Sequence, residues 1–234
     1  MKIVAVRIGD KYGPEYEKYL ENKLPQHEFI WVRKPINDKV QLQWNKMYGM
    51  NLDIDEPIVV MDIDVVLVND YNKLFDYPIE KGEFVAIPGW WRDTSEKKHK
   101  INGGFFKYFP KDCKYIYDRF INQPVYWQKY YIDRGIAKGP VNGEQYFVED
   151  SVNERLKLKI IPDSWVTRWC AKEDIGIKNF DLVNWKSKIQ RQYYELTGND
   201  FIYMGGEFHP DIKMVHFTHA TNKPHDWEDI NEFR

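Results

Sequence analysis

Three side chains of this 234-residue chain have the types that grip a divalent cation: Asp62, Asp64 and His216. The two aspartates interrupt an apolar run, Ile58-Val59-Val60-Met61-Asp62-Ile63-Asp64-Val65-Val66-Leu67-Val68, entered through Pro57 and left through Asn69-Asp70. Such a run reads as a strand buried on both faces. Burying one lone carboxylate there is costly, and burying two close together costs more. The strand therefore needs a cation between the two acids or an opening to solvent at that point. Positions two apart on a continuing strand point the same way, so Asp62 and Asp64 would share one ion. His216 closes a later predicted strand, and Lys223-Pro224 follows it. Imidazole together with carboxylate suits a borderline ion such as Mn2+, with Mg2+ as the harder alternative. Lys223 offers a point charge for phosphate oxygens. Three protein ligands fill part of an octahedral shell and leave room for water and the phosphates of a nucleotide diphosphate. A metal held there would stabilise the charge on that diphosphate as it leaves. The plainer readings are two solvated aspartates ending a strand and a core histidine bonded to a backbone carbonyl.

The elements that must position these residues alternate. Lys2 to Ile8 reads as a first strand, Glu15 to Leu24 as a helix stopped by Pro25, and Glu28 to Val32 as a second strand. Asp38 to Met50 reads as a helix with Val40, Leu42, Trp44 and Met47 as apolar positions, and the strand bearing the aspartates comes next. Strand, helix, strand, helix, strand predicts an α/β fold with a mostly parallel central sheet flanked by helices. In such sheets ligands gather at the carboxyl ends of strands. Further on, Glu83 to Ile87 and Phe105 to Phe109 read as strands, with Asn102-Gly103-Gly104 leading into the second. Pro110 to Asn122 and Glu144 to Leu156 read as helices, Leu158 to Ile161 and Met214 to Phe217 as strands, and Trp185 to Leu196 as a helix in a less regular C-terminal half.

Composition narrows the partners. Apolar residues make up 43% and aromatics 16% of the chain, enough for a substantial core, and the length suits a single domain, 1–234. A net charge of −2 gives no electrostatic case for nucleic acid. Cys113 and Cys170 have no metal-ligand or disulfide spacing. No stretch reaches bilayer-spanning length, the first eight residues do not form a secretion signal, and no Asn-x-Ser/Thr acceptor occurs. These features favour the cytoplasm.

Taken together and in order, the motifs resemble those of the retaining GT-A glycosyltransferases related to glycogenin and the bacterial lipopolysaccharide galactosyltransferases, from about residue 4 to about residue 225. Val60 to Leu67 resembles the family's metal-binding Asp-x-Asp strand. Ile101-Asn102-Gly103-Gly104-Phe105 is similar to its Phe-Asn-Ser/Ala-Gly-Val strand, and Gly143-Glu144-Gln145-Tyr146-Phe147 to its Asp-Gln-Asp-x-Leu-Asn helix start. His216-Phe217 with Lys223-Pro224 resembles the closing His-Phe-x-Gly-x-x-Lys-Pro-Trp. Departures are Glu144 for aspartate, Thr218-His219 for x-Gly, a His-to-Lys spacing one residue longer, and His225 where tryptophan is expected.

The resemblance implies a GT-A fold with a nucleotide- and metal-binding half, 1–110, and an acceptor-side half, 111–234. It implies transfer of a sugar from a nucleotide-diphosphate donor, UDP-linked in this family, to a glycan, lipid or protein hydroxyl, with retention. Asp62, Asp64 and His216 would hold the metal. Asp10 and Tyr12 would hold the base, while Ile8, Lys46, Asp62, Ile63, Asn102, Gly103 and Lys223 would contact the donor. Asn102, Glu144 and Gln145 would line the sugar, and Glu144 and Gln145, with Asp64, would serve catalysis. Trp90 and Trp91, in a polar loop, would stack on an acceptor sugar, whereas packing accounts better for Trp127, Trp165 and Trp169. The basic stretch Lys97 to Lys100 reads as a solvated loop. Two other classes compete. A haloacid-dehalogenase-type phosphatase would use Asp62 as nucleophile and Asp64 as acid/base, although that motif normally opens its domain. A catalytically inactive sugar-nucleotide-binding module would bind donor without turnover.

Overall fold

A computed structural model describes residues 1–89, 99–137, 143–169, 203–204, 207–208 and 210–217. In chain order the elements are β1 (Lys2–Val6), α1 (Pro14–Lys23), β2 (Glu28–Val32), a 3₁₀ segment (Leu42–Asn51), β3 (Ile58–Met61), β4 (Val65–Leu67), α2 (Asn72–Phe75), β5 (Glu83–Pro88), β6 (Ile101–Tyr108), α3 (Pro110–Asn122), α4 (Pro124–Asp133), α5 (Glu144–Arg155), β7 (Lys157–Ile160), a 3₁₀ turn (Asp163–Trp165), β8 (Val166–Trp169), β9 (Tyr203–Met204), β10 (Glu207–Phe208) and β11 (Met214–Phe217). Among the described residues no helix is long and apolar enough to cross a membrane. The chain groups into two compact units.

The first unit comprises Met1–Ile63, Pro78–Ala86 and Ile101–Ile160. Its sheet runs β2-β1-β3-β6-β5-β7; β1 is parallel to both β2 and β3, β5 is parallel to β7, and β6 is antiparallel to β3. The expected mostly parallel α/β architecture is therefore present. Alternation along the strands sends Val4, Ile58 and Val60 into one core with Trp44, Met47, Phe106, Phe120 and Phe147. Trp44 stacks on Phe120 with ring centroids 5.1 Å apart. Fully burying an aliphatic side chain of this kind contributes roughly 1.5–3 kcal/mol, so the stripe holds the helices to the sheet. Three helices begin with proline at a position whose N–H would be unpaired anyway: Pro14, Pro110 and Pro124. Glu15 and Glu17 sit in the first turn of α1 and Lys23 in its last, matching the helix dipole.

Three expectations are corrected here. The segment read as a helix over Asp38 to Met50 is a 3₁₀ stretch over Leu42–Asn51. Its cause is Asn45, whose Oδ1 accepts from Ile36 N (2.7 Å) and whose Nδ2 donates to Leu42 O (2.8 Å). A side chain bonded to local backbone in this way competes with α-helical pairing, and Leu42 enters the segment at a φ of 33°. The apolar run read as one strand over 58–68 is two. The last ladder bond from this end of β3 is Asp62 N to Gly104 O, 2.9 Å, and the chain then leaves the sheet. Both aspartates stand at the break, with side chains 25% and 17% exposed. The cost of burying them within a continuous strand is avoided by ending it. The glycine-rich stretch 102–104 lies within β6, not ahead of it.

The second unit comprises Asp64–Tyr77, Ile87–Lys100 and Ile161–Arg234. Its described core is a three-stranded sheet, β4-β11-β8, with β11 antiparallel to β4 and parallel to β8, and β9 pairs with β10. Asn69 turns the chain after β4 at a φ of 50°, and its Nδ2 donates to Ile212 O at 2.8 Å. His99, expected in a solvated loop, is buried. The helix expected at Trp185 to Leu196 and the residues Lys97, Lys98 and Cys170 lie outside the described residues.

Candidate functional site

Strand direction decides which predicted residues meet in the first unit. β1 and β3 run parallel and β6 runs against β3, so the loop after β1, the end of β3 and the start of β6 share one edge of the sheet. That edge carries Ile8 and Asp10, then Asp62, then Asn102 and Gly103. It is the carboxyl edge of the parallel strands, where ligands collect in open α/β sheets.

At its centre lies a buried polar cluster. Lys46, 5% exposed, is delivered by the 3₁₀ segment; its Nζ stands 2.5 Å from Asp62 Oδ1 and donates to Gly103 O at 2.7 Å. On the other side of Gly103, its N–H donates to Gln145 Oε1 at 3.1 Å, and Asn102 Nδ2 reaches the same oxygen at 3.5 Å. Asn102 Oδ1 in turn accepts from Gly104 N at 2.6 Å. Side chains from two distant elements thus take both backbone groups of Gly103. Glu144, the first residue of α5, is 3% exposed, and its Oε1 has no hydrogen-bond partner among the described residues. Burial pushes its carboxyl up to about 7; Lys46 pulls it back and Asp62 pushes it further. Near neutral pH this group divides between an acid able to donate a hydrogen bond and a carboxylate able to accept one.

In the second unit β11 brings His216 opposite Val65, one residue past Asp64. Phe217 N donates to Asp64 O at 2.9 Å, and His216 Nε2 stands 3.4 Å from Asp64 Oδ1. Two donors bound to one ion at octahedral geometry and about 2.1 Å stand about 3 Å apart, so this separation fits a pair of cis ligands. Imidazole nitrogen and carboxylate oxygen are a donor set that Mn2+ accepts readily.

The loop after β1 is fixed by a cluster that the motifs did not reveal. Glu17 of α1 accepts from Arg7 Nε at 2.5 Å and from Arg33 Nε and Nη2 at 3.0 and 2.7 Å. Burial alone would raise the Glu17 carboxyl, but hydrogen bonds from Arg33 and Arg7 outweigh it and hold the group below its ordinary range. The only signal in the sequence is an arginine just past each of two parallel strands, with a glutamate on the intervening helix. Beyond Arg7, Ile8 is half-buried and Asp10 exposed, and Tyr12 packs edge-on against Tyr16 at 4.9 Å with Lys11 above it. Ile63 is buried between the two aspartates. Glu149 is a second unforeseen buried acid, accepting from Ile101 N at 3.2 Å where β6 begins.

Trp127 is a packing residue: its Nε1 donates to Arg119 O at 3.1 Å and its ring meets Phe147 at 5.0 Å. Trp165 lies edge-on to Tyr77. Trp90, Trp91 and Lys223, along with Thr218, His219 and the side chain of Trp169, lie outside the described residues.

No model of a known protein family matches this chain, and no curated protein does. Solved structures match it throughout. The galactosyltransferase LgtC, crystallised with donor and acceptor sugar analogues, is similar over 95% of this chain and 88% of its own, with a TM-score of 0.51 and 10% identity. Glycosyltransferase GlyE of Streptococcus pneumoniae TIGR4, in its apo form, matches 94% of this chain with a TM-score of 0.54 and 10% identity; the matched part is 55% of GlyE. The chain has the GT-A glycosyltransferase fold seen in LgtC.

Proposed function

We propose that this protein is a metal-dependent glycosyltransferase that moves a sugar from a nucleotide-diphosphate sugar, UDP-linked, to an acceptor hydroxyl with retention of configuration. The observation that carries this reading is a fold likeness over 95% of the chain to a galactosyltransferase, in a chain whose central strand breaks at an Asp-x-Asp pair. Asp62, Asp64 and His216 supply three candidate ligand atoms for Mn2+ or Mg2+. When bound, the cation supplies positive charge to the departing diphosphate.

The chain's own residues do the rest. Asp10 and Tyr12 take the base, and Ile8 contacts the donor beside them. Lys46, in contact with Asp62, adds positive charge beside the metal ligands, and Ile63 and Lys223 complete the grip on the donor. Asn102, Glu144 and Gln145 line the sugar, and Gly103, bonded to Gln145, contacts the donor beside them. Trp90 and Trp91 receive the acceptor, a hydroxyl of a glycan, lipid or protein. The anomeric carbon–oxygen bond breaks with its electron pair going to the diphosphate, the acceptor oxygen bonds to that carbon, and the acceptor proton leaves with the diphosphate. Stabilising charge on the leaving group by fixed cations is the largest contribution such a site can make. Retention requires attack from the face the diphosphate leaves, or a transient bond from Glu144.

The phosphatase reading is not favoured. Two strands, a helix and the 3₁₀ segment precede the strand that ends at Asp62. The matched folds are those of glycosyltransferases.

Thermal denaturation with a panel of nucleotide-sugars, with and without Mn2+, tests the proposal. A UDP-sugar should raise the midpoint only when Mn2+ is present, and Asp64→Ala should abolish that rise. A chain indifferent to every nucleotide would refute it.

A further inference from the structure

The loop from Ile8 to Gly13 is held from its two ends. Arg7 stands one residue past β1, and its N–H donates to Val32 O at 3.0 Å, carrying the ladder to β2 beyond the strand. Glu17 follows the loop, in the first turn of α1, and is 8% exposed. The bond from Arg7 Nε to Glu17 Oε1, 2.5 Å, therefore closes a span of ten residues that contains the whole loop. Arg33, just past β2, fastens that closure to the sheet, its Nε and Nη2 donating to the two oxygens of the same carboxylate at 3.0 and 2.7 Å. A guanidinium that meets a carboxylate through two bonds fixes direction as well as distance. Within the closed span the tip is open. Gly9, Asp10 and Lys11 are exposed, and Gly9 turns at a φ of 80° with no other part of the chain within 4 Å of where a Cβ would stand. Tyr12 rests edge-on against Tyr16, on the helix that Glu17 anchors. The course of the tip is thus set where the loop begins and ends. Apolar side chains commonly serve stability as well as a buried ionic cluster does, so the distinctive contribution of this one is a defined geometry.

We infer that Glu17 is a positioning residue for the nucleobase: by tying Arg7 to α1 across the loop, it holds Asp10 and Tyr12 where they meet the base. It thereby governs affinity for the nucleoside half of the donor and not for the diphosphate. This rests on the glycosyltransferase reading, which gives the loop its ligand, and adds to it a residue that touches no ligand. A loop already held in its bound course loses less freedom on binding, and the difference appears as affinity.

Glu17→Gln in the full chain tests the inference, with affinity measured for UDP and for pyrophosphate, each with Mn2+. Glu83→Gln is the control. Glu83 is also shared by two cations, Lys157 at 2.9 Å and Lys159 at 3.0 Å, but it ties β5 to β7 at the other side of the sheet. Glu17→Gln should weaken UDP about tenfold and leave pyrophosphate within about twofold, whereas Glu83→Gln should leave both within about twofold. Arg7→Lys keeps the charge but loses the directed Nε–H; as the milder variant it should weaken UDP about threefold, with pyrophosphate again unmoved. Unchanged UDP affinity in Glu17→Gln, or in Arg7→Lys should the first variant not fold, overturns the positioning role. Equal weakening of UDP and pyrophosphate, or a loss of UDP affinity in Glu83→Gln as large as in Glu17→Gln, assigns the effect to general loosening and overturns it as well. These failures leave the glycosyltransferase reading intact, because the unsubstituted chain still binds UDP with Mn2+. An unsubstituted chain that binds neither ligand refutes that reading and this one with it.

Discussion

Glu144→Gln exposes the energetic consequence of a buried acid. In the folded protein burial raises this carboxyl from 4.5 to about 7. The unfolded chain then gives up its proton near 4.5 while the folded chain keeps it until about 7. Between those values the native state holds the extra proton, so stability falls as pH rises. At about 1.36 kcal/mol per unit, the loss across this window is about 3 kcal/mol. Glutamine is nearly isosteric and does not titrate, so the substitution removes the slope. Urea denaturation at intervals from pH 4.5 to 8 should show the variant gaining on the parent by about 3 kcal/mol through the window and running parallel to it above about 7. The gain should be absent for Glu28→Gln, a solvent-exposed control on β2. Two curves parallel across the whole range would refute the reasoning, because they would mean that the folded protein ionises Glu144 as readily as the unfolded chain does.

Lys46→Met should destabilise by about 2–4 kcal/mol at pH 7, since it strands the Asp62 carboxylate and the Gly103 carbonyl; partial exposure of Asp62 keeps the figure below the full cost of breaking a deeply buried pair. A loss under 1 kcal/mol in urea denaturation would mean that the contact does not hold the cluster together. Glu17→Gln leaves Arg7 and Arg33 without their shared carboxylate and should cost about 2 kcal/mol at pH 7. The folded carboxyl is held below its ordinary value, so its contribution is present above about 4.5 and fades as pH falls through the lowered value. The difference between parent and variant should therefore shrink toward pH 3, and a difference that persists there would contradict the assignment.

The order of elements was legible in the residues because apolar periodicity and Pro/Gly punctuation are local. The readings over Glu28–Val32, Pro110–Asn122 and Met214–Phe217 coincide with β2, α3 and β11, whereas α4 was not marked and the run begun at Ile58 was read too long. The Asp62-Ile63-Asp64 interruption could be read as a demand for a cation or an opening. Its form could not, because whether an apolar run continues as one strand depends on its neighbours. β6 bonds the chain as far as Asp62, and β11 takes over from Val65. The 3₁₀ winding of 42–51 was hidden for a related reason: Asn45 reaches backbone on both sides of itself only when Ile36 lies within range. The clearest case is the approach of Gly103 to Glu144. In sequence, Gly103 and Glu144 are unrelated positions forty-one residues apart. Only the tertiary structure puts the bare α-carbon of Gly103 against the Glu144 carboxyl, because contact between a strand and the first turn of a later helix is set by packing and leaves no period in the chain.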